Sequence, residues 1–164
     1  MIELARRSLD RQELRELVAR LAADPAHWRP LVRYGTGERH FEQLCRDAHV
    51  DVWVISWATG NDTGFHDHDV SNGAVAVVEG ERVEERLVLD GAPRRFRHRA
   101  GEVFDFDAAH VHRMLQDSAT PAVSIHAYSP PLWRMGSYAV APDGTLRRHS
   151  ISYAEELRPV EVTA

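Results

Sequence analysis

The hydrophobic pattern of the chain begins with one helix. Residues 9–23 place apolar side chains at positions i, i+3, i+4 and i+7, which forms one stripe of an amphipathic helix. The stripe consists of Leu14, Leu17, Val18 and Leu21. Asp10 and Glu13 have the spacing of a capping pair, and Pro25 pushes the residue before it out of the helical region. The pattern therefore predicts a helix that ends before Pro25, followed by a short helix or turn over residues 26–30.

From about residue 50 the pattern changes to short runs that are rich in β-branched residues or alternate between apolar and polar positions. These runs read VDVWVISW, GAVAVVEG, RVEERLVL, RFRHRAGEVFDF, HVHRML and AVSIHAYS. Strand-length runs without helical periods between them favour an antiparallel sandwich or barrel over a parallel α/β sheet. We predict a mainly β fold, a small antiparallel, jelly-roll-like β-barrel over about 45–140, with a helical cover over about 9–30. The segment from Ile151 is expected to be a strand or a tail outside the barrel.

Length and composition are those of one compact domain. The chain has 164 residues, of which 43% are hydrophobic and 27% charged, so we predict a single domain over residues 1–164. The net charge of −5 comes without a basic run, which argues against nucleic acid or an anionic membrane as a partner.

Targeting signals are missing from the sequence pattern. No apolar stretch approaches the ~18 residues of a membrane span, and the first residues lack the apolar core of a signal peptide. Cys45 is the single cysteine, which agrees with a reducing compartment. We therefore expect a cytoplasmic protein. Its oligomeric state stays open, and a monomer is compatible with the sequence.

Two groups of histidines supply the candidate chemistry. In the first, His66 and His68 are separated by one residue, and on a strand such a pair points to the same face. In the second, His110 and His112 follow the turn at Gly101. Either of these two could contribute a third imidazole from a neighbouring strand. The sequence therefore predicts a metal site made of three imidazoles inside the barrel.

These spacings resemble the two sequence motifs of the cupin superfamily, in which a glycine precedes His-x-His by six residues and a later turn precedes a further histidine. The matching positions are Gly60, His66, His68, Gly80, Gly101 and His112. By this resemblance His112 is the third ligand. His110 is expected in outer packing, with a role as a ligand or as a partner of a ligand left as the alternative. The glutamate ligand of common cupins falls at Gly73, so the site lacks that carboxylate.

The missing carboxylate narrows the chemistry that the site can perform. Three neutral imidazoles leave the +2 charge of a divalent ion uncompensated, which favours an anionic substrate ligand such as a thiolate. A thiol that binds a metal ion also loses its proton more readily. We therefore expect a substrate that brings its own electrons.

Two further segments, TGFHDHDVSNGAVAVVEG and PAVSIHAYSPP, strongly resemble the cysteine dioxygenase family, or more broadly the thiol dioxygenases. The resemblance covers roughly residues 30–140. It implies that the metal is iron(II), Fe(2+), bound by His66, His68 and His112. It also implies that the partners are a small thiol and dioxygen, and that both oxygen atoms end on sulfur in a sulfinic acid.

The same resemblance implies a hydrogen-bonded catalytic row of Ser124, His126 and Tyr128. These three residues alternate along one predicted strand and therefore share a face, while Ile125 and Ala127 point away. A tyrosine hydroxyl held by such a row can stabilise charge that develops on bound dioxygen or orient the substrate. In animal members a cysteine crosslinks to this tyrosine. The matching position here is Gly73, so Tyr128 is expected to be an unmodified phenol.

The resemblance also implies an arginine that binds the substrate carboxylate, as in cysteine-specific members of the family; a guanidinium suits this role because it makes paired hydrogen bonds to a carboxylate. The resemblance favours Arg39 for this role and leaves Arg33 as the alternative. Ile55 and Trp57, on the strand before the first histidine motif, are expected to wall the pocket, with a plain role in the core as the equal alternative. The resemblance also implies a cis peptide bond between Ser129 and Pro130.

The substrate and two alternative functions stay open on the sequence alone. Cysteine is the first expectation, with 3-mercaptopropionate, cysteamine and ergothioneine as competitors. A non-catalytic cupin that binds a metal or a small ligand would share the three histidines but would not need the row that ends at Tyr128. A zinc hydrolase with a metal-bound water is compatible with the ligand count.

Overall fold

A computed structural model describes residues 5–35, 37, 39–89, 91–143 and 145–152. The first element is the helix α1, Arg11–Ala22, which begins after Asp10. The Asp10 side chain accepts a hydrogen bond from the Glu13 backbone N–H at 2.9 Å, and the Glu13 carboxylate accepts one from the Asp10 N–H at 2.9 Å. The predicted capping pair is therefore present. A short helix α2, Pro25–Trp28, and a 3-10 turn, Arg29–Leu31, follow.

The rest of the described chain is built from strands. In chain order they are β1 His40–Arg46, β2 Asp51–Trp57, β3 His66–Asp67, β4 Asn72–Glu79, β5 Glu81–Arg86, β6 Arg94–Arg99, β7 Val103–Phe106, β8 His112–Leu115, β9 Ala122–Ser129, β10 Arg134–Val140 and β11 Leu146–Ser152. One sheet has the order β1-β2-β9-β4-β7, and the other has the order β11-β10-β3-β8-β5-β6. The named strand pairs are antiparallel, as predicted.

The six predicted runs all contain strands, and the long run RFRHRAGEVFDF divides into β6 and β7. The structure adds β1 and β10, which the sequence pattern did not predict. The expected strand near Ile151 begins earlier, at Leu146, as β11. The remainder of that predicted segment, residues 153–164, lies outside the described residues.

Helix α1 covers the outer face of the first sheet. Its stripe of four buried side chains packs in one apolar cluster with residues of β2, β4 and β9, among them Val52, Ala74 and Ile125. A second cluster lies between the sheets and contains Trp57 and Tyr128 from one sheet with Met114 and Met135 from the other. The outer face of the first sheet therefore packs against α1, and its inner face lines the space between the two sheets.

Strand β9 shows how the two faces are used. All eight of its residues are buried, because each face packs against a different layer. Ile125 and Ala127 point outward into the cluster under α1, whereas His126 and Tyr128 point inward. A run that is buried on both faces thus carries an apolar row on one side and a polar row on the other.

Candidate metal centre

The three histidines of the predicted site converge. His66 on β3 pairs directly with His112 on β8, and His68 follows the end of β3. One ring nitrogen from each histidine lies within 4.8 Å of the others. The ring centroids are 4.7 to 5.1 Å apart, and the side chains are all buried. The structure therefore brings together the residues that the sequence predicted to share one ion.

The donor set of this cluster fits a divalent metal ion. His66 Nδ1 contacts Gly64 O at 3.0 Å, and His112 Nδ1 contacts the Glu84 carboxylate at 3.0 Å. Because both acceptors bind an N–H at Nδ1, the Nε2 atoms of these rings carry the lone pairs. Both ring nitrogens of His68 are buried without a hydrogen-bond partner. A metal ion bound by the cluster would satisfy one of these two nitrogens.

Burial keeps these imidazoles in the form that binds metals. It lowers the pKa of His112 to about 3, although the hydrogen bond to Glu84 acts in the opposite direction. Burial also lowers the pKa of His68 well below its usual value, and the neighbouring histidines add to the effect. Neutral imidazoles are the ligating form, so the site is ready for a cation at neutral pH.

The position of the common cupin glutamate is closed by an aromatic ring. Gly73 on β4 pairs with Phe106 on β7, and a β-carbon added at Gly73 would overlap the Phe106 ring. The same ring stacks on His68, with centroids 4.6 Å apart. Phe106 thus occupies the space that a carboxylate ligand from Gly73 would need, which agrees with a site of three histidines.

A buried carboxylate that the sequence did not predict supports the third histidine from behind. Glu84 on β5 is fully buried, and its Oε1 contacts His112 Nδ1 at 3.0 Å and His110 Nε2 at 2.8 Å. Its Oε2 accepts hydrogen bonds from Arg86 at 2.9 and 3.0 Å and contacts His98 Nε2 at 3.0 Å. Burial alone would raise the pKa of Glu84, but these hydrogen bonds hold it well below its usual value.

His110 takes part in this network and is not a member of the three-histidine cluster. Glu84, His110 and His112 also bring three potential ligand atoms within 4.8 Å of one another. Their short contacts to the Glu84 oxygen are, however, those of hydrogen bonds. A carboxylate that accepts a hydrogen bond from a ligating histidine fixes its tautomer and ring orientation.

Another carboxylate, Asp67, lies between the first two histidines in the chain and points away from them. It accepts hydrogen bonds from Arg148 at 2.7 and 2.9 Å, from the Tyr138 hydroxyl at 2.6 Å and from the Gly136 N–H at 3.0 Å. Burial alone would raise the pKa of Asp67, but these hydrogen bonds hold it well below its usual range. Asp67 therefore ties strand β3 to the hairpin of β10 and β11.

The row on β9 has the predicted geometry. Ser124 Oγ lies 2.7 Å from His126 Nε2, and His126 Nδ1 lies 3.2 Å from the Tyr128 hydroxyl oxygen. The Tyr128 ring stacks on His68, with centroids 5.1 Å apart, so the row ends beside the histidine cluster. Trp57 donates its indole N–H to Ser124 Oγ at 2.8 Å. The Ser129–Pro130 peptide bond is cis, as the resemblance implied.

A cavity of about 70 Å³ that opens to solvent reaches this row and the histidines His66 and His112. Ile55, Trp57 and Trp53 lie in its walls. Arg39 lines the cavity, and its guanidinium carbon lies 5.9 Å from the centroid of the Trp57 ring.

Arg33, the alternative to Arg39, lies elsewhere. Its side chain is exposed, and its Nη1 donates hydrogen bonds to the carbonyl oxygens of Pro30 at 2.7 Å and Val32 at 2.8 Å. These contacts belong to its own turn. Of the two candidate arginines, the structure therefore places only Arg39 at the cavity.

The chain is similar to known proteins of one family. The chain matches the family model of Cysteine dioxygenase type I over residues 2–140. It is also similar to a protein of Danio rerio named Cysteine dioxygenase type 1, with 24% identity over 136 residues that cover 76% of this chain and 67% of that protein.

Solved structures show the fold. A Klebsiella pneumoniae protein with a double-stranded β-helix domain aligns with a TM-score of 0.53 at 16% identity, covering 73% of this chain and 91% of that one. A cupin superfamily protein from Desulfitobacterium hafniense aligns with a TM-score of 0.53 at 12% identity, covering 61% and 84%. The predicted cupin fold, mainly antiparallel β with an N-terminal helical cover, is confirmed. Among the described residues, no helix is both long and apolar enough to span a bilayer.

Proposed function

Because the chain belongs to the Cysteine dioxygenase type I family, we propose that it is a non-haem iron(II) thiol dioxygenase. In the proposed reaction a small thiol and one molecule of dioxygen give the sulfinic acid, so that both oxygen atoms end on sulfur. The observation that carries the proposal is the buried cluster of His66, His68 and His112, which has no carboxylate member. This cluster borders a cavity that Arg39 also lines.

The three histidines would hold Fe(2+) through one nitrogen each. Bound there, iron would supply the redox chemistry that lets dioxygen react with a thiolate. The protein contributes fixed ring orientations, because His66 is held by a backbone carbonyl and His112 by Glu84. It also contributes a neutral ligand set that leaves the charge of the ion available to an anionic substrate.

Arg39 would orient the substrate. Its guanidinium supports paired hydrogen bonds to a carboxylate, and Ile55, Trp53 and Trp57 give the same cavity an apolar wall. Within the described part of the chain, no aspartate or glutamate lines the cavity. The guanidinium of Arg39 in the cavity wall favours a thiol that carries a carboxylate, such as cysteine or 3-mercaptopropionate, over cysteamine. Ergothioneine, which also has a carboxylate, remains a competitor.

Tyr128 would hold a proton at the reacting end of the cavity. Its hydroxyl contacts His126, and His126 contacts Ser124, so the phenol cannot rotate independently of the row. A positioned hydroxyl of this kind can donate to an oxygen atom on which charge develops. A cupin that only stored a metal ion or a ligand would have no use for the row, which is why we favour an enzyme.

The proposal is tested by oxygen uptake. Iron-loaded protein is mixed with each thiol of a panel that contains cysteine, 3-mercaptopropionate, cysteamine and ergothioneine, and sulfinate is quantified. We expect at least one thiol to give equal amounts of oxygen consumed and sulfinate formed. Absence of turnover with every thiol would contradict the proposal, and hydrolytic activity that needs zinc would favour a hydrolase.

Variants separate binding of the metal from catalysis. His112→Ala should lose iron, because it removes one of three ligands. Tyr128→Phe should keep iron and lose rate, because only the hydroxyl is removed. His149→Ala, in an exposed histidine of β11, is the control that should leave iron content unchanged. Equal loss of iron in the His112 and Tyr128 variants would contradict the assigned roles.

A further inference from the structure

A buried arginine stands behind the wall of the cavity. Arg82 on β5 is fully buried, and its guanidinium carbon lies 3.6 Å from the centroid of the Trp57 ring. Its Nη1 donates to Gln116 Oε1 at 2.8 Å, whereas its Nε and Nη2 have no hydrogen-bond partner. No carboxylate within the described ranges forms a salt bridge with it. A permanent cation in such a place is costly, which suggests a role beyond packing.

Trp57 connects this cation to the row on β9. An indole N–H can donate a hydrogen bond but cannot accept one, so Ser124 Oγ must be the acceptor in its 2.8 Å contact with Trp57. Arg82 lies over the π face of the same ring, where a positive charge is attracted to the ring electrons. The cation withdraws electron density from the indole and makes its N–H a stronger donor.

The direction of the next hydrogen bond follows from the number of hydrogens. The Ser124 hydroxyl has one hydrogen and is fully buried, and its side-chain contacts in the described structure are Trp57 and His126. Trp57 cannot receive that hydrogen. Ser124 must therefore donate to His126 Nε2, because the opposite arrangement would leave a buried hydroxyl hydrogen unsatisfied.

The tautomer of His126 follows from this hydrogen bond. Burial, with the nearby positive charge of Arg82 as the next contribution, lowers the pKa of His126 well below its usual value, so the ring is neutral. A neutral ring that accepts at Nε2 carries its hydrogen at Nδ1. His126 therefore donates to the Tyr128 hydroxyl oxygen across 3.2 Å, and the hydrogen of Tyr128 is not given to His126.

We propose that Trp57 and Arg82 are positioning residues: Trp57 fixes the direction of this hydrogen-bond chain, through Ser124 and His126 to Tyr128, and Arg82 strengthens its first donor. Tyr128 is thereby the acceptor at the end of the hydrogen-bond chain, and a ligand bound in the cavity meets a tyrosine whose hydrogen does not point at His126. The identity of that ligand, a thiol or dioxygen, rests on the proposed function. The direction of the hydrogen-bond chain does not depend on the proposed function.

The direct test is the tautomer of His126. Long-range ¹H–¹⁵N NMR spectra are recorded on the full chain loaded with Zn²⁺, which is diamagnetic, and the His126 signals are assigned with a His126→Gln variant. The proposal predicts a hydrogen on Nδ1 and a lone pair on Nε2. A hydrogen on Nε2 in the unchanged protein would overturn it.

The variant Trp57→Phe tests the source of the direction. Trp57→Phe keeps an aromatic ring but removes the donor, so Ser124 can take either orientation, and we expect a mixture of His126 tautomers. An unchanged tautomer in Trp57→Phe would overturn the assignment to Trp57. The His126 tautomer can be measured without any thiol chemistry. If no thiol is oxidised, the proposed function fails, but the tautomer still decides the direction of the hydrogen-bond chain.

Arg82 is tested with a matched pair. Arg82→Met keeps a long side chain against Trp57 without the charge, and Arg82→Lys restores a charge without the planar guanidinium. We expect Arg82→Met to lower kcat roughly tenfold with little change in KM, since the weakened donor chain acts on the reaction and not on binding. Arg82→Lys should recover part of kcat.

Equal kcat in Arg82→Met and the unchanged protein would overturn the role of Arg82, as would a loss in Arg82→Lys equal to that in Arg82→Met. Should Arg82→Met not fold, Arg82→Lys against the unchanged protein, together with the tautomer measurement, decides the case.

Discussion

Two buried carboxylates, Asp67 and Glu84, lie behind the histidine cluster and support it in different ways. Asp67 accepts hydrogen bonds from Arg148, Tyr138 and backbone N–H groups, so it anchors the backbone that carries the first two histidines. Glu84 contacts the ring of His112 itself. The difference has a physical reason. His66 and His68 are two residues apart on one face, so the backbone that carries them orients both side chains. His112 comes from another strand, and a separate contact fixes its ring.

This comparison predicts that Asp67 governs folding and Glu84 governs metal binding. Substitutions at the two carboxylates therefore have different readouts. Each can be measured on the metal-free and metal-loaded chain, which keeps effects on stability apart from effects on affinity.

The largest effect is expected for Asp67→Asn. The change removes a buried negative charge and weakens its hydrogen bonds to Arg148 and Tyr138, which costs about 2 kcal/mol of unfolding free energy, less than for a fully buried pair because Arg148 is partly exposed. Urea denaturation of the metal-free protein measures the loss. The metal affinity of the folded variant should change far less than that of a Glu84 variant. A stability equal to that of the unchanged protein would contradict the anchoring role.

Glu84→Gln should lower metal affinity by about 10- to 100-fold, since it weakens the hydrogen bond that orients a ligating histidine. Competition with a chelator for Co²⁺ or Zn²⁺ measures this affinity. Asp67→Asn is the matched control, because it removes a buried charge on the other side of the cluster. If both variants lost the same affinity, the distinction between the two carboxylates would be wrong.

Arg148→Lys should have a smaller effect, about 1 kcal/mol of unfolding free energy, because an ammonium group cannot reproduce the two hydrogen bonds of the guanidinium. Thermal unfolding at several salt concentrations measures it. Arg147→Lys, at the neighbouring exposed position, is the control and should leave stability unchanged. The same loss in both variants would show that the Asp67 contact contributes nothing specific.

The smallest effect concerns pH. The pKa of Asp67 is lower in the folded protein than in the unfolded chain, so its contribution to stability is fully present above the unfolded value of about 4 and is lost as the pH falls below it. Between about pH 5 and pH 3 the metal-free protein should lose at most about 1 kcal/mol more than Asp67→Asn. Parallel pH curves for the two proteins would contradict this linkage.

The sequence predicted those parts of the fold where local pattern and burial coincide. Strand β9 was predictable because its polar and apolar residues alternate and both rows are buried. Strands β1 and β10 were not predicted, because one has little burial contrast along its length and the other contains Gly136, which weakens a strand pattern.

Within the candidate site, the histidines and the row on β9 were predictable from spacing and resemblance. Glu84 and Arg82 were missed, because the run RVEER consists of charged residues apart from its valine, which is typical of a solvent-exposed strand. Only the pairing of β5 with β8, which sets Glu84 opposite Met114, shows that these charges face inward. The signal in the sequence was the two-residue spacing of Arg82, Glu84 and Arg86, which places them on one face.

The most direct test of the account uses labelled dioxygen. Iron-loaded protein is given ¹⁸O₂ and the thiol that supports the fastest oxygen uptake, and the product is analysed by mass spectrometry. The account predicts a sulfinic acid that carries two ¹⁸O atoms. A product with one labelled oxygen, or a disulfide without any, would contradict it.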